Sequence, residues 1–186
     1  MKIFIRNRKL KGFSLLELLL VLGIIAALIV AAFIVYPKVR TSQIVDAESK
    51  NIATIRAGLL ALYSSTTNIT TVNNTVGINA QIFPDNMLVQ SGGTVSDVVN
   101  GFKGKVKLSA TNYASYGKVV FNISYANVPQ DACVKLVTAV APSMSMVNIG
   151  GSYAKSDLSN VDWSVANAAT ACNSAGTSST IVFSFY

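Results

Sequence analysis

The most prominent pattern in the chain is a long run of apolar residues near its N-terminus. From Phe13 to Tyr36 every residue is apolar, Gly or Ser, with the single exception of Glu17. Residues 18–37 contain no charge, and at about 1.5 Å rise per residue such a segment spans the ~30 Å hydrocarbon core of a bilayer. The pattern predicts a membrane-spanning helix, because the run is longer than the roughly 7 to 15 apolar residues of a cleaved secretory signal.

Beyond Pro37 the pattern changes to a single apolar face. Apolar residues recur at spacings typical of an amphipathic helix, at Val45, Ile52, Ile55, Leu59 and Leu62. Glu48 is an exception, since at about 100° per residue it falls within this apolar stripe. Both flanks of Pro37 have helical patterns, so we expect one kinked helix from Phe13 to about Tyr63, with two separate helices as the alternative.

The following residues, 64–100, are rich in Thr, Asn, Ser and Gly and contain no Lys or Arg. We expect a long connection with short elements of its own, in which residues 81–87 form a corner that packs onto a globular head. Residues 118–125 alternate between apolar and other side chains, which predicts a β-strand. A second predicted strand has three lysines on one face, which we interpret as a solvated edge rather than a basic binding strip: Lys103, Lys105 and Lys107.

A helix is predicted between Pro129 and Pro142, with Asn127 or Val128 as its N-cap. Helical spacing gives it one buried stripe, which consists of Ala132, Cys133, Leu136, Val137 and Val140.

Two cysteines, Cys133 and Cys172, lie near the end of the sequence without the CxxC spacing of a redox or metal site. In a domain outside the cytoplasm they are expected to form one structural disulfide, with two buried free thiols as the alternative. Cys172 ends an Ala-rich, helix-like segment, 162–172, that follows a predicted turn at Gly150–Gly151. The alternation in residues 180–186 predicts a terminal strand inside the sheet.

Charge and composition exclude several classes of function. The formal net charge is +7, but the first twelve residues contribute five of the positive charges, and the other ten Lys and Arg face eight Asp and Glu. We therefore predict no nucleic-acid partner. The chain has no histidine, which excludes Ser-His-Asp catalysis, Cys-His catalysis and histidine zinc sites. We expect no catalytic site, cofactor or metal, and an anchored periplasmic enzyme is a remote alternative.

At the N-terminus a basic leader ends at Gly12, and Phe13-Ser-Leu-Leu-Glu17 follows, leading into some twenty apolar residues. In these features the sequence resembles the type IV prepilins. The long helix, the Thr- and Asn-rich connection, the predicted sheet and the cysteine pair are also similar to a pilin. The resemblance implies an α+β fold in which a long N-terminal helix, half transmembrane and half amphipathic, packs on an antiparallel sheet with a disulfide near its C-terminus.

The resemblance also implies a processing and assembly mechanism. A membrane prepilin peptidase would cut after Gly12 and N-methylate Phe13. Glu17, the fifth mature residue, would pair with the Phe13 amine of a neighbouring subunit in the filament. A lone carboxylate among apolar helices is costly, and such pairing offsets the cost in one register. The alternative is that Glu17 simply reaches the lipid headgroups.

The expected organisation has four parts: a leader at 1–12, a transmembrane and filament-core helix at 13–36, an amphipathic helix at 37–63 and a head at 64–186. Five positive charges precede the apolar run, so a single-pass helix with a cytoplasmic N-terminus is expected. The protein would lie in the bacterial inner membrane before assembly and then in an extracellular pilus. The implied partners are other copies in a helical filament, the peptidase, an assembly ATPase, an inner-membrane platform protein and an outer-membrane secretin.

Gly23, the 81–87 corner and the late Pro129 helix are similar to type IVb pilins, the class of toxin-coregulated, bundle-forming and conjugative thin pili. The short leader and Phe13 are commoner in type IVa. The expected function is a structural pilus subunit for adhesion, aggregation or conjugation. One alternative is a type II secretion pseudopilin. Major pseudopilins resemble each other in an acidic, calcium-binding C-terminal loop, whereas no acidic residue follows Asp162 in this chain. The other alternative is a minor or tip pilin.

Overall fold

A computed structural model describes residues 14–64, 69 and 71–186. The chain divides into a first unit that ends at Arg40 and a second unit, Thr41–Tyr186. Helix α1, Leu15–Leu62, begins in the first and ends in the second, and Pro37 lies inside it. The sequence prediction of one long helix is therefore confirmed, and the alternative of two separate helices is wrong.

In its described residues the second unit contains two antiparallel sheets, three further α-helices and three single-turn 3-10 helices. A two-stranded sheet pairs β1 with β2, and a five-stranded sheet has the order β3-β4-β7-β5-β6. The elements after α1 are α2 (Asn74–Asn79), β1 (Leu88–Ser91), β2 (Thr94–Val98), β3 (Val106–Tyr113), β4 (Lys118–Pro129), α3 (Gln130–Val140), β5 (Met146–Ile149), β6 (Ser152–Ser156), α4 (Val165–Ser174) and β7 (Ser178–Phe185). The α+β class is confirmed, and the last strand lies inside the sheet as predicted.

The core lies between α1 and one face of the large sheet. Ile52 and Ile55 of α1 are fully buried in the same cluster as Phe183 of β7. At the end of α1 the predicted stripe is wrong in one position, since Leu62 is 40% exposed. Leu62 is the last helical residue, and the next residue contacts the sheet instead: the Tyr63 and Phe121 ring centroids are 5.5 Å apart.

Helix α3 has the predicted buried stripe but begins later than predicted. Pro129 is its N-cap rather than its first helical residue, and neither Asn127 nor Val128 has that role. The cause is β4, which continues through Pro129 and pairs it with Ser178. Asn127 has φ of 57° at an irregularity in the pairing, which allows the strand to resume at Val128.

The predicted lysine strip is only partly correct. Lys103 lies outside β3 in a turn with φ of 65°. Lys105 directly precedes β3, where its Nζ atom is 2.7 Å from Asp97 Oδ2 and lowers the pKa of that carboxyl. Lys107 lies in β3, which is an edge strand of the large sheet, so the prediction of an edge is confirmed.

Candidate functional site

The part of α1 in the first unit has an apolar surface that is exposed throughout. Every described residue from 14 to 40 is exposed, including the large side chains Leu15, Leu28, Phe33 and Tyr36. Among the described residues, α1 is the one helix long and apolar enough to cross a membrane. A contiguous apolar surface of this size is unstable in water, so it requires lipid or other apolar helices around it.

Glu17 lies in the first turn of this helix and is exposed between leucines. An acidic side chain at a helix N-terminus interacts favourably with the helix dipole. The cleavage and methylation positions predicted from the sequence, Gly12 and Phe13, lie outside the described residues. The structure therefore places Glu17 at the start of α1 and does not test its predicted partner.

A second carboxylate, Glu48, is buried where α1 meets the rest of the second unit. Only 2% of its surface is exposed. Its Oε1 atom accepts hydrogen bonds from Gly101 N at 3.0 Å and from Asn51 Nδ2 at 3.1 Å. Oε2 has no hydrogen bond of standard geometry among the described residues. The Tyr125 hydroxyl, which is next to the carboxyl, donates a long bond to Met87 Sδ at 4.0 Å instead.

Burial has the largest effect on the pKa values of Glu48 and Tyr125. It raises the pKa of the Glu48 carboxyl, although the hydrogen bonds from Gly101 and Asn51 and the nearby Tyr125 hydroxyl lower it. Burial likewise raises the pKa of Tyr125, and the neighbouring Glu48 charge raises it further. The carboxyl therefore joins α1 to the loop between β2 and β3 at the cost of a poorly solvated charge.

The backbone of Gly101 approaches α1 closely at this contact. A Cβ atom at this position would lie 2.8 Å from Ile44 Cγ2 and 3.0 Å from Glu48 Oε1. The sequence placed Glu48 in the apolar stripe but assigned it no role. Its partner loop, 53 residues away along the chain, has no sequence signal that would have identified it.

Cys133 of α3 and Cys172 of α4 form the predicted disulfide, and both are buried. The Cα atoms are 6.0 Å apart, and the residues are 39 positions apart in sequence. Gln130 Nε2 also donates to Asn173 Oδ1 at 2.9 Å, so α3 and α4 share a polar contact beside the disulfide. No cysteine is free, and the alternative of two free thiols is wrong.

Two family descriptions match the chain. Residues 42–185 match the family described as PilS N terminal, and residues 7–33 match the prokaryotic N-terminal methylation motif. The chain belongs to the PilS family of type IV pilins. As a type IV pilin it is a structural subunit of a pilus, made as a prepilin that is processed and anchored in a membrane before it enters the filament.

The fold of this pilin agrees with a solved structure. It is similar to the crystal structure of TcpA, a type IV pilin from Vibrio cholerae El Tor biotype, with a TM-score of 0.58 and 16% sequence identity. The similarity covers 77% of this pilin and 99% of the TcpA chain. No curated protein matches the pilin in sequence.

In the described residues of this pilin, no group of three or more His, Cys, Asp or Glu side chains is arranged to hold a metal ion.

Proposed function

We propose that this pilin is the major subunit of a type IVb pilus, a helical homopolymer that acts in adhesion, aggregation or conjugation and has no enzymatic activity. The observation that carries the proposal is the exposed apolar surface of α1 from residue 15 to 36, which is interrupted by no charge after Glu17. Lipid covers this surface before assembly, and the same segment of other subunits covers it afterwards. Each subunit contacts the next subunit through one face and the previous subunit through a different face. These contacts are heterologous, so the polymer stays open.

The proposed processing removes residues 1–12 by cleavage after Gly12. Glycine suits a scissile position because its backbone can enter a narrow protease cleft. Cleavage creates an α-amine on Phe13, which the peptidase then methylates. The amine follows the basic leader at the cytoplasmic side, which leaves residues 37–63 and the head at 64–186 on the other side of the membrane.

Glu17 then specifies the position of each subunit. It lies four residues after Phe13, about 6 Å along the helix axis, so its carboxylate and the positive amine are at similar depth. Inside a bundle of apolar helices an unpaired carboxylate is strongly unfavourable. Pairing Glu17 with the Phe13 amine of a neighbouring subunit satisfies both charges in one register only.

The partners proposed for assembly are a prepilin peptidase, a cytoplasmic ATPase, an inner-membrane platform protein and an outer-membrane secretin. Each follows from the family mechanism. The single-pass helix with its N-terminus in the cytoplasm places the leader within reach of the cytoplasmic components.

The decisive experiment is mass spectrometry of filaments sheared from cells that produce the wild-type protein, Glu17→Ala or Asp46→Ala. Asp46 is the matched control, because it is an exposed acidic residue of the same helix beyond the apolar segment. We expect an abundant species beginning at N-methyl-Phe13 from the wild type and from Asp46→Ala. In Glu17→Ala this species should be lost from the sheared fraction and retained in the membrane.

Three results would contradict the proposal. A wild-type protein that keeps residues 1–12 would exclude the processing step. A Glu17→Ala protein that is sheared from cells in wild-type amounts would show that the carboxylate does not determine register. A processed wild-type protein present in only trace amounts in long filaments would assign it to the minor or tip pilins.

A further inference from the structure

The face of the large sheet that points away from α1 contains a concave groove. Its volume is about 390 Å³, and all five strands of the sheet contribute to its lining. Because side chains alternate along a strand, Ile123 of β4 points into the core while Asn122 and Ser124 line the groove. All lining residues lie within the second unit.

The floor of the groove is a row of hydrogen-bonded polar side chains. Asn122 Nδ2 donates to Thr111 Oγ1 at 2.8 Å, and Ser184 Oγ donates to Asn122 Oδ1 at 2.7 Å. Asn122 is 7% exposed and Ser184 is 5% exposed, so their orientations are fixed by packing as well. Thr111 is exposed and accepts the Asn122 bond, which leaves its hydroxyl hydrogen for an acceptor in the groove.

Two tyrosines form the walls of the groove. Tyr113 belongs to β3 and Tyr153 to β6, the two edge strands of the sheet. In a flat sheet these strands would be about 19 Å apart, at ~4.8 Å per strand. Their side chains nevertheless interact, and burial together with this interaction raises the pKa of the Tyr113 phenol. The two side chains therefore extend towards each other at the groove that both of them line.

The residues that line the groove carry one positive charge and no negative charge. Lys107 is the one charged residue among those that line it, and no carboxylate is present. Hydroxyl and amide groups below aromatic rings match a ligand that has many hydroxyls and an apolar ring face. Lys107 adds an attraction for a negative charge at one end.

We propose that this groove binds an acidic saccharide, with the sugar ring against Tyr113 and Tyr153, its hydroxyls on the Thr111–Asn122–Ser184 row and its carboxylate towards Lys107. A second copy of the chain is a poorer occupant, because the centre of a protein interface is apolar and Val182 is the one aliphatic residue in the lining. A basic peptide would find no carboxylate in the groove to pair with. The site goes beyond the filament function and does not depend on polymerisation.

The test uses the full-length pilin in detergent micelles, titrated with glucuronic acid and with glucose and observed by saturation-transfer NMR. The variants are Tyr153→Ala and Lys107→Gln. The matched controls are Tyr116→Ala, an exposed tyrosine outside the groove, and Lys103→Gln, a lysine in the turn before β3. Urea unfolding followed by the fluorescence of Trp163 confirms that each variant keeps the wild-type fold.

We expect glucuronic acid to bind the wild type and both controls, and Tyr153→Ala to weaken it about tenfold, the size of a lost aromatic contact. Lys107→Gln should weaken glucuronic acid about threefold, in a salt-dependent manner, and leave glucose unchanged. Because micellar pilin is not polymerised, this result is independent of whether filaments form.

The proposal is overturned if neither sugar binds the wild type, or if the groove variants bind as the controls do. It is also overturned if Tyr153→Ala changes self-association in light scattering without changing sugar binding, because the occupant is then a second copy of the chain.

Discussion

Removing the disulfide should destabilise the head by an amount that follows from the length of the loop it closes. The bond joins α3 to α4 across 39 residues. In the chain-entropy model a loop of this length corresponds to about 3.9 kcal/mol at 25 °C, through restriction of the unfolded chain. The perturbation is the double variant Cys133→Ala and Cys172→Ala, which introduces no new polar group at two buried positions. Loss of the two buried sulfur atoms adds roughly 1 kcal/mol to the expected decrease in unfolding free energy.

The assay is urea unfolding of the full-length pilin in a mild detergent. Trp163 is the one tryptophan in the sequence and packs against the core just before α4, so its fluorescence reports on the region that the disulfide joins. We expect the double variant to lose about 4 to 5 kcal/mol of unfolding free energy, a large part of the ~5 to 15 kcal/mol typical of a domain.

A reductant provides the internal control. It should lower the unfolding midpoint of the wild type towards that of the double variant and leave the double variant unchanged. A difference below about 1 kcal/mol between the wild type and the double variant would refute the reasoning. It would mean that the disulfide restricts the unfolded chain little, because contacts between α3 and α4 persist there, or that packing of α3 on α4 already provides the stability of the native head.

Two further predictions use the same fluorescence assay. Burial raises the pKa of Glu48, so its contribution to head stability is fully present below the unfolded pKa of about 4.3 and is lost as pH rises through the folded value. Glu48→Gln should therefore reduce the loss of stability between pH 5 and pH 8, and a greater loss in the variant would contradict this account. Gly104→Ala should cost at least ~3 kcal/mol, because the new Cβ would lie 1.8 Å from the Ala126 carbonyl oxygen. Ser91→Ala, in the exposed β1–β2 hairpin, is its control and should change stability by less than about 0.5 kcal/mol.

The elements that sequence predicted well are those with strong local patterns. Helix α1 has a long apolar run followed by a stripe, and α3 has five apolar residues at helical spacing between two prolines. Turn chemistry was equally informative at Gly150–Gly151, where both residues have positive φ in the turn between β5 and β6. Glu48 was visible as an irregularity of the stripe, although not as a contact.

The elements that sequence missed lack such local patterns. Strand β5 is buried on both faces, with Met146 and Val147 each at 1% exposure or less, so it shows no alternation. Strands β1 and β2 are short and mostly exposed, and the Gly92–Gly93 turn between them was the one usable signal.

The groove could not be predicted, because it depends on the order of five strands. Tyr113 and Tyr153 are 40 residues apart in the sequence and lie on the two edge strands, and only the strand order β3-β4-β7-β5-β6 places them at the same groove. The polar row has the same origin, since its three members come from three strands that are not all consecutive. Alternation can assign a residue to one face of a sheet, but it does not identify which strand is adjacent or which residue of that strand lies beside it.

The position of β7 has a consequence for the order of events during synthesis. This strand lies between β4 and β5 and pairs with both, yet it is translated after every other strand of the sheet. Until it emerges from the ribosome, β4 and β5 each present an unpaired edge, and Cys133 has been made long before its partner Cys172. The anchor helix can therefore be inserted in the membrane while the head is still an open, aggregation-prone chain. The sheet is complete only once β7 has emerged and paired with both of its neighbours.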